Sequence, residues 1–212
     1  MATGNYKHEI DVVQEYGLDV KRREVFLFGV EDYADDEEPG VEFIMANRFI
    51  KNLRWLSNIN HDPVLIHMKS NGGYWHEGMA IYQAIQHCEC HVTIVNYTHA
   101  RSMTSIILQA ADHRVMMPYS TFMYHDGTIG VDGTIKQFFT EAAQAKIECE
   151  DMMRIYLDKC EGAPFFEGKT RPQIRRHLRT QMDKKEEVYL NPSQTVAQGF
   201  ADKVFENWKA LK

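Results

Sequence analysis

The sequence has no apolar run long enough to cross a membrane, and its opening Met1-Ala2-Thr3-Gly4-Asn5-Tyr6-Lys7-His8 does not read as a signal peptide. Surplus positive charge is missing as well. The 24 Lys and Arg stand against 30 Asp and Glu, and the net charge of −6 speaks against a nucleic-acid partner. Cysteine is scarce: four in 212 residues do not build a disulfide scaffold, and a reducing cytoplasm is the simplest setting. Two of the four form Cys88-Glu89-Cys90 between His87 and His91, but Cys-x-Cys lacks the paired spacing of a zinc site. Neither a G-x-G-x-x-G pattern nor a phosphate-loop lysine is present, so the chain carries no nucleotide-binding motif of its own. Internal repeats and low-complexity segments are also lacking. The composition that remains, 44% hydrophobic and 25% charged, is that of an ordinary globular protein. The length suits one α/β domain with a projecting part.

What is present is an alternation. Val25-Phe26-Leu27-Phe28-Gly29-Val30 reads as a strand, and residues 41–58 repeat Ile44, Met45, Phe49, Leu53 and Leu56 at helical spacing. Val64-Leu65-Ile66-His67-Met68-Lys69 is a buried-strand run, followed by Ser70-Asn71-Gly72-Gly73 and a helix over 74–87. A β-rich run over 91–97, a helix over 103–112 and a further run ending at His125 continue the series. Strand alternating with helix predicts right-handed βαβ units around one sheet. Residues 1–20 show little periodicity and are expected to form an N-terminal arm, leaving 21–212 as a single domain. The acidic loop over 32–40 is expected to be solvated.

Chemistry gathers between Val64 and His125. Ser102 lies where a strand turns into a helix, and the first N–H groups of a helix have no intrahelical partners. Such a turn suits a nucleophile beside a developing oxyanion, although a serine there is more often only a helix cap. Gly72-Gly73 at the end of a buried strand offers further backbone donors, and His125 closes the next β run.

Ser70-Asn71-Gly72-Gly73 with Gly78-Met79-Ala80-Ile81-Tyr82, Ser102-Met103, Tyr124-His125 and Gly199-Phe200-Ala201-Asp202, in this order and spacing, resemble the proteolytic subunit of the Clp protease. The resemblance implies a ClpP/crotonase-like spiral of βαβ units with a projecting long-helix handle. It also implies a serine endopeptidase: Ser102 attacks, His125 is the general base, and the backbone N–H groups of Gly73 and Met103 form the oxyanion hole. Counting back from Gly199 puts the family's catalytic aspartate at Glu187, with Glu186 and Asp183 as further candidates. Neither a metal nor an organic cofactor is expected. Unfolded polypeptide substrates would reach the sites inside two stacked heptameric rings, a tetradecameric homo-oligomer fed by an AAA+ unfoldase that uses the ATP. The N-terminal arm would line the axial entrance. The chain departs from the family pattern at Asn71, where a proline is usual, and at His99 and Arg101, where small residues are usual. It departs again at Asp126-Gly127, which stand in place of Gln-Pro, and at Glu187 itself. A non-catalytic ring subunit, a crotonase-fold acyl-CoA hydratase or isomerase, and a signal-peptide-peptidase-like enzyme are the alternatives. The last would pair its serine with lysine, and the hydratases use carboxylates instead of a Ser-Met nucleophile.

After His125 a glycine-rich passage leads into the longest predicted helix. Thr134 and Gln137 have capping-box spacing, Ile135, Phe138, Phe139, Ala142, Cys149, Met152, Met153, Tyr156 and Cys160 keep a three-four period, and Gly162 ends the helix. At 1.5 Å per residue it would span about 40 Å, more than one small core covers. The region of about 128–165 reads either as a core helix or as a projecting handle that packs its stripe against another subunit, and the resemblance, in which this region joins two rings, favours the handle. The arginines from 171 to 179 read as a solvated face. Asn191, Pro192 and Gln194 form a strong helix start.

Overall fold

The structure is a computed structural model and describes residues 6–29 and 39–211. The first five residues of the expected arm and most of the acidic loop at 32–40 lie outside the described residues. Eight strands form one sheet: β1 (Leu18–Asp19), β2 (Glu24–Phe28), β3 (Val64–Ser70), β4 (Val92–Arg101), β5 (His113–Met116), β6 (Thr121–Tyr124), β7 (Val188–Leu190) and β8 (Lys203–Val204). Helices α1 (Tyr6–Tyr16), α2 (Phe43–Ile59), α3 (Trp75–Gln86), α4 (Met103–Leu108), α5 (Ile135–Cys160), α6 (Arg171–Lys185) and α7 (Pro192–Ala197) complete the element order. The arm thus contains an 11-residue helix, α1.

Strands β2, β3, β4, β5 and β8 run parallel in that order, with β1 antiparallel at the edge. Helices α2, α3 and α4 are the crossovers, so the predicted βαβ winding is present. Continuous apolar runs mark strands covered on both faces. Val64, Ile66, Met68, Val92, Ile94 and Val95 are all buried. Helix α2 buries Met45, Phe49, Leu53 and Leu56 as its period predicts, while Ile44 points outward. Glu42 caps that helix by accepting from the N–H groups of Ile44 and Met45, both at 2.7 Å.

Strand β4 decides the layout around the site. Its first half pairs with β5 (Thr93↔His113), and its second half pairs with β6 (His99↔Thr121, Arg101↔Met123). The sheet therefore forks, and the ends of β4 and β6 come side by side. Helix α4 stops at Leu108 instead of running to 112, and the short strand β5 follows. Arg114, buried in β5, reaches back to the C-cap of α4. Its guanidinium bonds Gln109 Oε1 at 2.8 Å, the Gly199 carbonyl at 2.7 Å and Asp202 Oδ1 at 2.6 Å. These bonds bind the turn after α4 to the C-terminal Gly199-Phe200-Ala201-Asp202 segment. Phe122, Tyr124, Tyr156 and Phe200 form one aromatic cluster, with Phe122 stacked on Phe200 at 4.6 Å, and seat β6 on α5.

Helix α5 runs 26 residues behind the predicted Thr134–Gln137 capping box. Its stripe is divided, which corrects the expectation that all of it packs against a second subunit. Met152, Met153, Tyr156, Leu157 and Cys160 are buried in the chain's own core. Ile135 at 79% and Phe139 at 67% exposure project into solvent, together with Phe138 and Ile147. The basic face of α6 is not simply solvated either. Arg171 pairs with Asp158 and Glu161, Arg175 with Glu150, and Arg179 with both Asp126 and Glu150. Arginines four residues apart share a helix face, and this face is fastened to α5.

Candidate active site

Ser102 sits between β4 and α4 with φ +49° and ψ −123°. Positive φ in a residue with a Cβ costs roughly 1–3 kcal/mol and persists only where the surroundings enforce it. Here they do. The Ser102 N–H donates to the Met123 carbonyl of β6 at 3.1 Å, and its own carbonyl accepts from Ser105 Oγ at 2.6 Å. Ser105 Oγ in turn bonds the Tyr156 hydroxyl of α5 at 2.6 Å. The Thr104 hydroxyl lies between the Ser70 and Arg101 carbonyls at 2.9 and 2.8 Å and accepts from the Arg101 N–H at 2.9 Å. A serine turned in this way does not cap its helix, and no side-chain cap is made. Its hydroxyl is aimed instead at His125, with Oγ and Nε2 2.8 Å apart.

His125 follows the last residue of β6. Because β6 lies beside the end of β4, the strand register brings the imidazole to the serine although 23 residues separate them. Burial lowers the His125 pKa below its ordinary value. The Glu187, Asp126 and Glu186 carboxylates act to raise it and Arg101 to lower it further, but burial outweighs the carboxylates. The imidazole is therefore held in the neutral form, the form that can accept a proton.

The candidate carboxylates differ in position. Asp183 lies within α6, and Glu186 is its C-cap with φ +60°. Glu187 precedes β7, which runs antiparallel to β6 with Met123↔Tyr189 and Tyr124↔Val188 in register. The pairing ends at Tyr124↔Val188, and Glu187, the residue before β7, and His125, the residue after β6, both lie at that end of the strand pair. Among the carboxylates acting on His125, Glu187 acts most strongly. The Glu187 carboxylate nevertheless accepts from the Tyr189 hydroxyl, at 2.7 Å to Oε2. Among the described hydrogen bonds none joins His125 to a carboxylate.

Gly72 and Gly73 bring a second backbone segment against the serine. A Cβ on Gly72 would meet the Arg101 carbonyl and the Ser102 Cβ, both at 2.7 Å. Gly72 and Gly73 both have positive φ, and a side chain on Gly73 would run into the Val41 backbone. The bridge to Val41 uses the Gly72 carbonyl and the Tyr74 N–H, so the Gly73 N–H is not spent on it. Met103, the first residue of α4, likewise has an N–H without an intrahelical acceptor. Around these groups lies a cleft of about 220 Å³. Its lining includes Ser102, His125 and Gly73 together with Ile106, Cys149 and Met152.

Three parts of the site carry no signal in the sequence. These are the Tyr156–Ser105 bond, the Tyr189–Glu187 bond and the Arg179–Asp126 pair at 2.5 Å, which anchors the residue after His125. The first and the last join residues 51 and 53 apart in the chain, whereas Tyr189 and Glu187 are only two apart and their bond depends on how the side chains are turned. Cys88 and Cys90 lie away from the cleft; Cys90 Sγ accepts from Arg23 Nη2 at 3.3 Å.

Known proteins place this architecture. The Clp protease family matches residues 38–208. The ATP-dependent Clp protease proteolytic subunit 2 of Chlamydia muridarum is 27% identical over 173 residues, covering 79% of this chain and 78% of its own. The protein of the same name from Pseudomonas aeruginosa is 26% identical over 197 residues, covering 91% of this chain and 84% of its own. Among solved structures, a ClpP1 mutant from Listeria monocytogenes superimposes with a TM-score of 0.71 at 20% identity, covering 95% of this chain and 99% of that one, and it shares the fold. With a match running from residue 38 to residue 208, this chain belongs to the Clp protease family.

Proposed function

We propose that the chain is a serine endopeptidase subunit that hydrolyses unfolded polypeptides. One observation carries the reading: a serine held at positive φ, its Oγ 2.8 Å from an imidazole that burial keeps neutral, at the wall of an open cleft. Serine is a weak nucleophile unless an adjacent base takes its proton. Ser102 Oγ attacks the scissile carbonyl while His125 Nε2 removes the proton, and the imidazolium then protonates the leaving amine. The oxyanion is stabilised by the N–H groups of Gly73 and Met103, each worth on the order of a hundredfold in rate or more. Glu187 orients the imidazole and offsets its charge. Water repeats the sequence on the acyl-enzyme. Atoms and charge balance in every step with no metal or organic cofactor.

The subunit works in an assembly. The exposed Ile135, Phe138, Phe139 and Ile147 of α5 form the contact between two stacked seven-membered rings, and an AAA+ unfoldase supplies substrate at the expense of ATP. This division of labour fits relatives named as proteolytic subunits of an ATP-dependent protease and a chain without a nucleotide motif. The compartment is the cytoplasm, the first 20 residues serve as the arm at the axial entrance, and residues 21–212 act as one domain. The hydratase reading is disfavoured because an acyl-CoA hydratase has no use for the Ser102–His125 pair.

A fluorophosphonate probe tests the reading. Wild type should be labelled on Ser102, and Ser102→Ala should lose label and cut a fluorogenic peptide on the order of a thousandfold more slowly or worse, with unchanged melting. Full cleavage by Ser102→Ala would end the serine mechanism.

A further inference from the structure

Arg101 and Glu187 are unusual side chains beside the reacting groups, and the fold joins them. Arg101 pairs with Met123 across β4 and β6, and Met123 pairs with Tyr189 across β6 and β7. Residues paired across strands share a face, as do residues two apart along one strand. Arg101, Met123 and Tyr189 therefore stand on one side of the sheet, and His125 and Glu187 adjoin the neighbouring ends of β6 and β7. The Arg101 guanidinium lies over the Tyr189 ring, 5.2 Å from its centroid, and Nη2 donates to the Tyr189 hydroxyl at 2.6 Å. The phenol passes the bond on at 2.7 Å to Glu187 Oε2.

The direction of this chain is set by its chemistry. A guanidinium can only donate and a carboxylate can only accept, so the tyrosine oxygen must take the Arg101 bond and give its proton to Glu187. Glutamate carries one more rotatable bond than aspartate, and Glu187 is exposed. Untethered, it would spend much of its time away from the imidazole. The tyrosine holds Oε2 and leaves Oε1 outside that bond, on a carboxylate whose charge acts on His125.

We propose that Tyr189, itself oriented by Arg101, is a positioning residue that holds Glu187 against His125, so that the Arg101–Tyr189–Glu187 chain does the work a shorter, directly placed acid would do alone. The role rests on the Ser-His-acid reading above. Glu187 also raises the Tyr189 pKa through the same bond, so the phenol stays protonated and donating across the working range.

The test is a double-mutant cycle on the assembled full-length protein, read with a short fluorogenic peptide from pH 5 to 9. Tyr189→Phe keeps the ring and removes only the hydroxyl. It should lower kcat about tenfold, the scale of one lost charge-assisted hydrogen bond, with little change in KM. The acid limb of kcat should also move to lower pH, because a released Glu187 no longer supports the imidazolium. In a Glu187→Gln background Tyr189→Phe should add no further loss, and in a Tyr189→Phe background neither should Arg101→Met. A Tyr189→Phe enzyme with wild-type kcat and acid limb, or one whose loss simply adds to that of Glu187→Gln, would overturn the clamp while leaving the serine mechanism standing. Wild type that takes no fluorophosphonate on Ser102 would bring down the peptidase reading and the clamp with it. A purely structural pin between β4 and β7 would lower the melting temperature without moving the acid limb, which also counts against the proposal.

Discussion

At the scale of single residues the site is governed by which groups are shielded from water. His125 is close enough to carboxylates to be pulled towards the charged form, yet burial outweighs them and its pKa falls below the ordinary 6.5. As pH falls, the base form needed for proton transfer persists until pH drops through that lowered value. The acid limb of peptide cleavage should accordingly lie below pH 6.5, and it should be missing from the residual activity of His125→Ala. Asp126 works in the opposite sense to burial. Asp126→Asn removes a charge that raises the His125 pKa and cuts the tie to Arg179. Its acid limb should move lower still, while kcat drops because the segment after the histidine is no longer anchored. A limb that moves upward in Asp126→Asn would show that another group titrates.

Among elements, the junction between β5 and the C-terminal segment is the most sensitive. Arg114 is buried, and Asp202 meets it with bonds at 2.6 and 3.1 Å. Burial raises the Asp202 carboxyl, but Arg114 outweighs it and leaves the group below the usual carboxylate value. A depressed carboxylate contributes stability above its unfolded pKa and loses it as pH falls through the folded one. This contribution should therefore fade below about pH 4, an ordinary aspartate's value. Asp202→Asn leaves a buried guanidinium without its charge partner, which costs roughly 3 kcal/mol. In a chain of this size that lowers the melting temperature by several degrees, measurable by calorimetry at pH 7. An unchanged melting point would mean that the pair adds nothing to the junction. Helices α5 and α6 are fastened differently, by exposed arginine pairs, and surface pairs of that kind are worth little one by one.

For the whole molecule, the stripe of α5 is divided between residues the chain buries in its own core and residues it leaves exposed. Met152 and Met153 are buried in the chain's own core, so charges placed there would unfold the subunit and report nothing about assembly. Phe138 and Phe139 are exposed and can be changed without touching that core. Phe138→Glu with Phe139→Glu should keep the folded subunit and its melting transition while splitting a double ring into single rings by native mass spectrometry. Peptide cleavage should fall with it. An intact double-ring particle in the double variant would remove α5 as the contact, and a wild type that is monomeric and fully active would refute the assembly altogether.

Features set by neighbours in the chain could be read before the structure. The capping boxes at Thr134 and Asn191, the apolar runs of β3 and β4, the period of α2 and the serine at a strand-to-helix turn all depend on residues a few positions apart. Spacing and resemblance also singled out Gly73, Ser102, Met103, His125 and Glu187. Tertiary structure alone decided the rest. That β4 forks between β5 and β6, and so sets His125 beside Ser102, depends on strand pairing that no local period encodes. Which half of α5 meets the core depends on where the aromatic cluster lies, and both halves carry the same three-four repeat. The arginines of α6 read as a solvated face because charge along a helix gives no sign of what stands opposite. The Arg101–Tyr189–Glu187 chain exists because two strands, 88 residues apart in sequence, flank a third. Local order follows from steric and hydrogen-bonding preferences within a few residues, whereas a catalytic contact is a distance across the fold, and only the packed chain sets it.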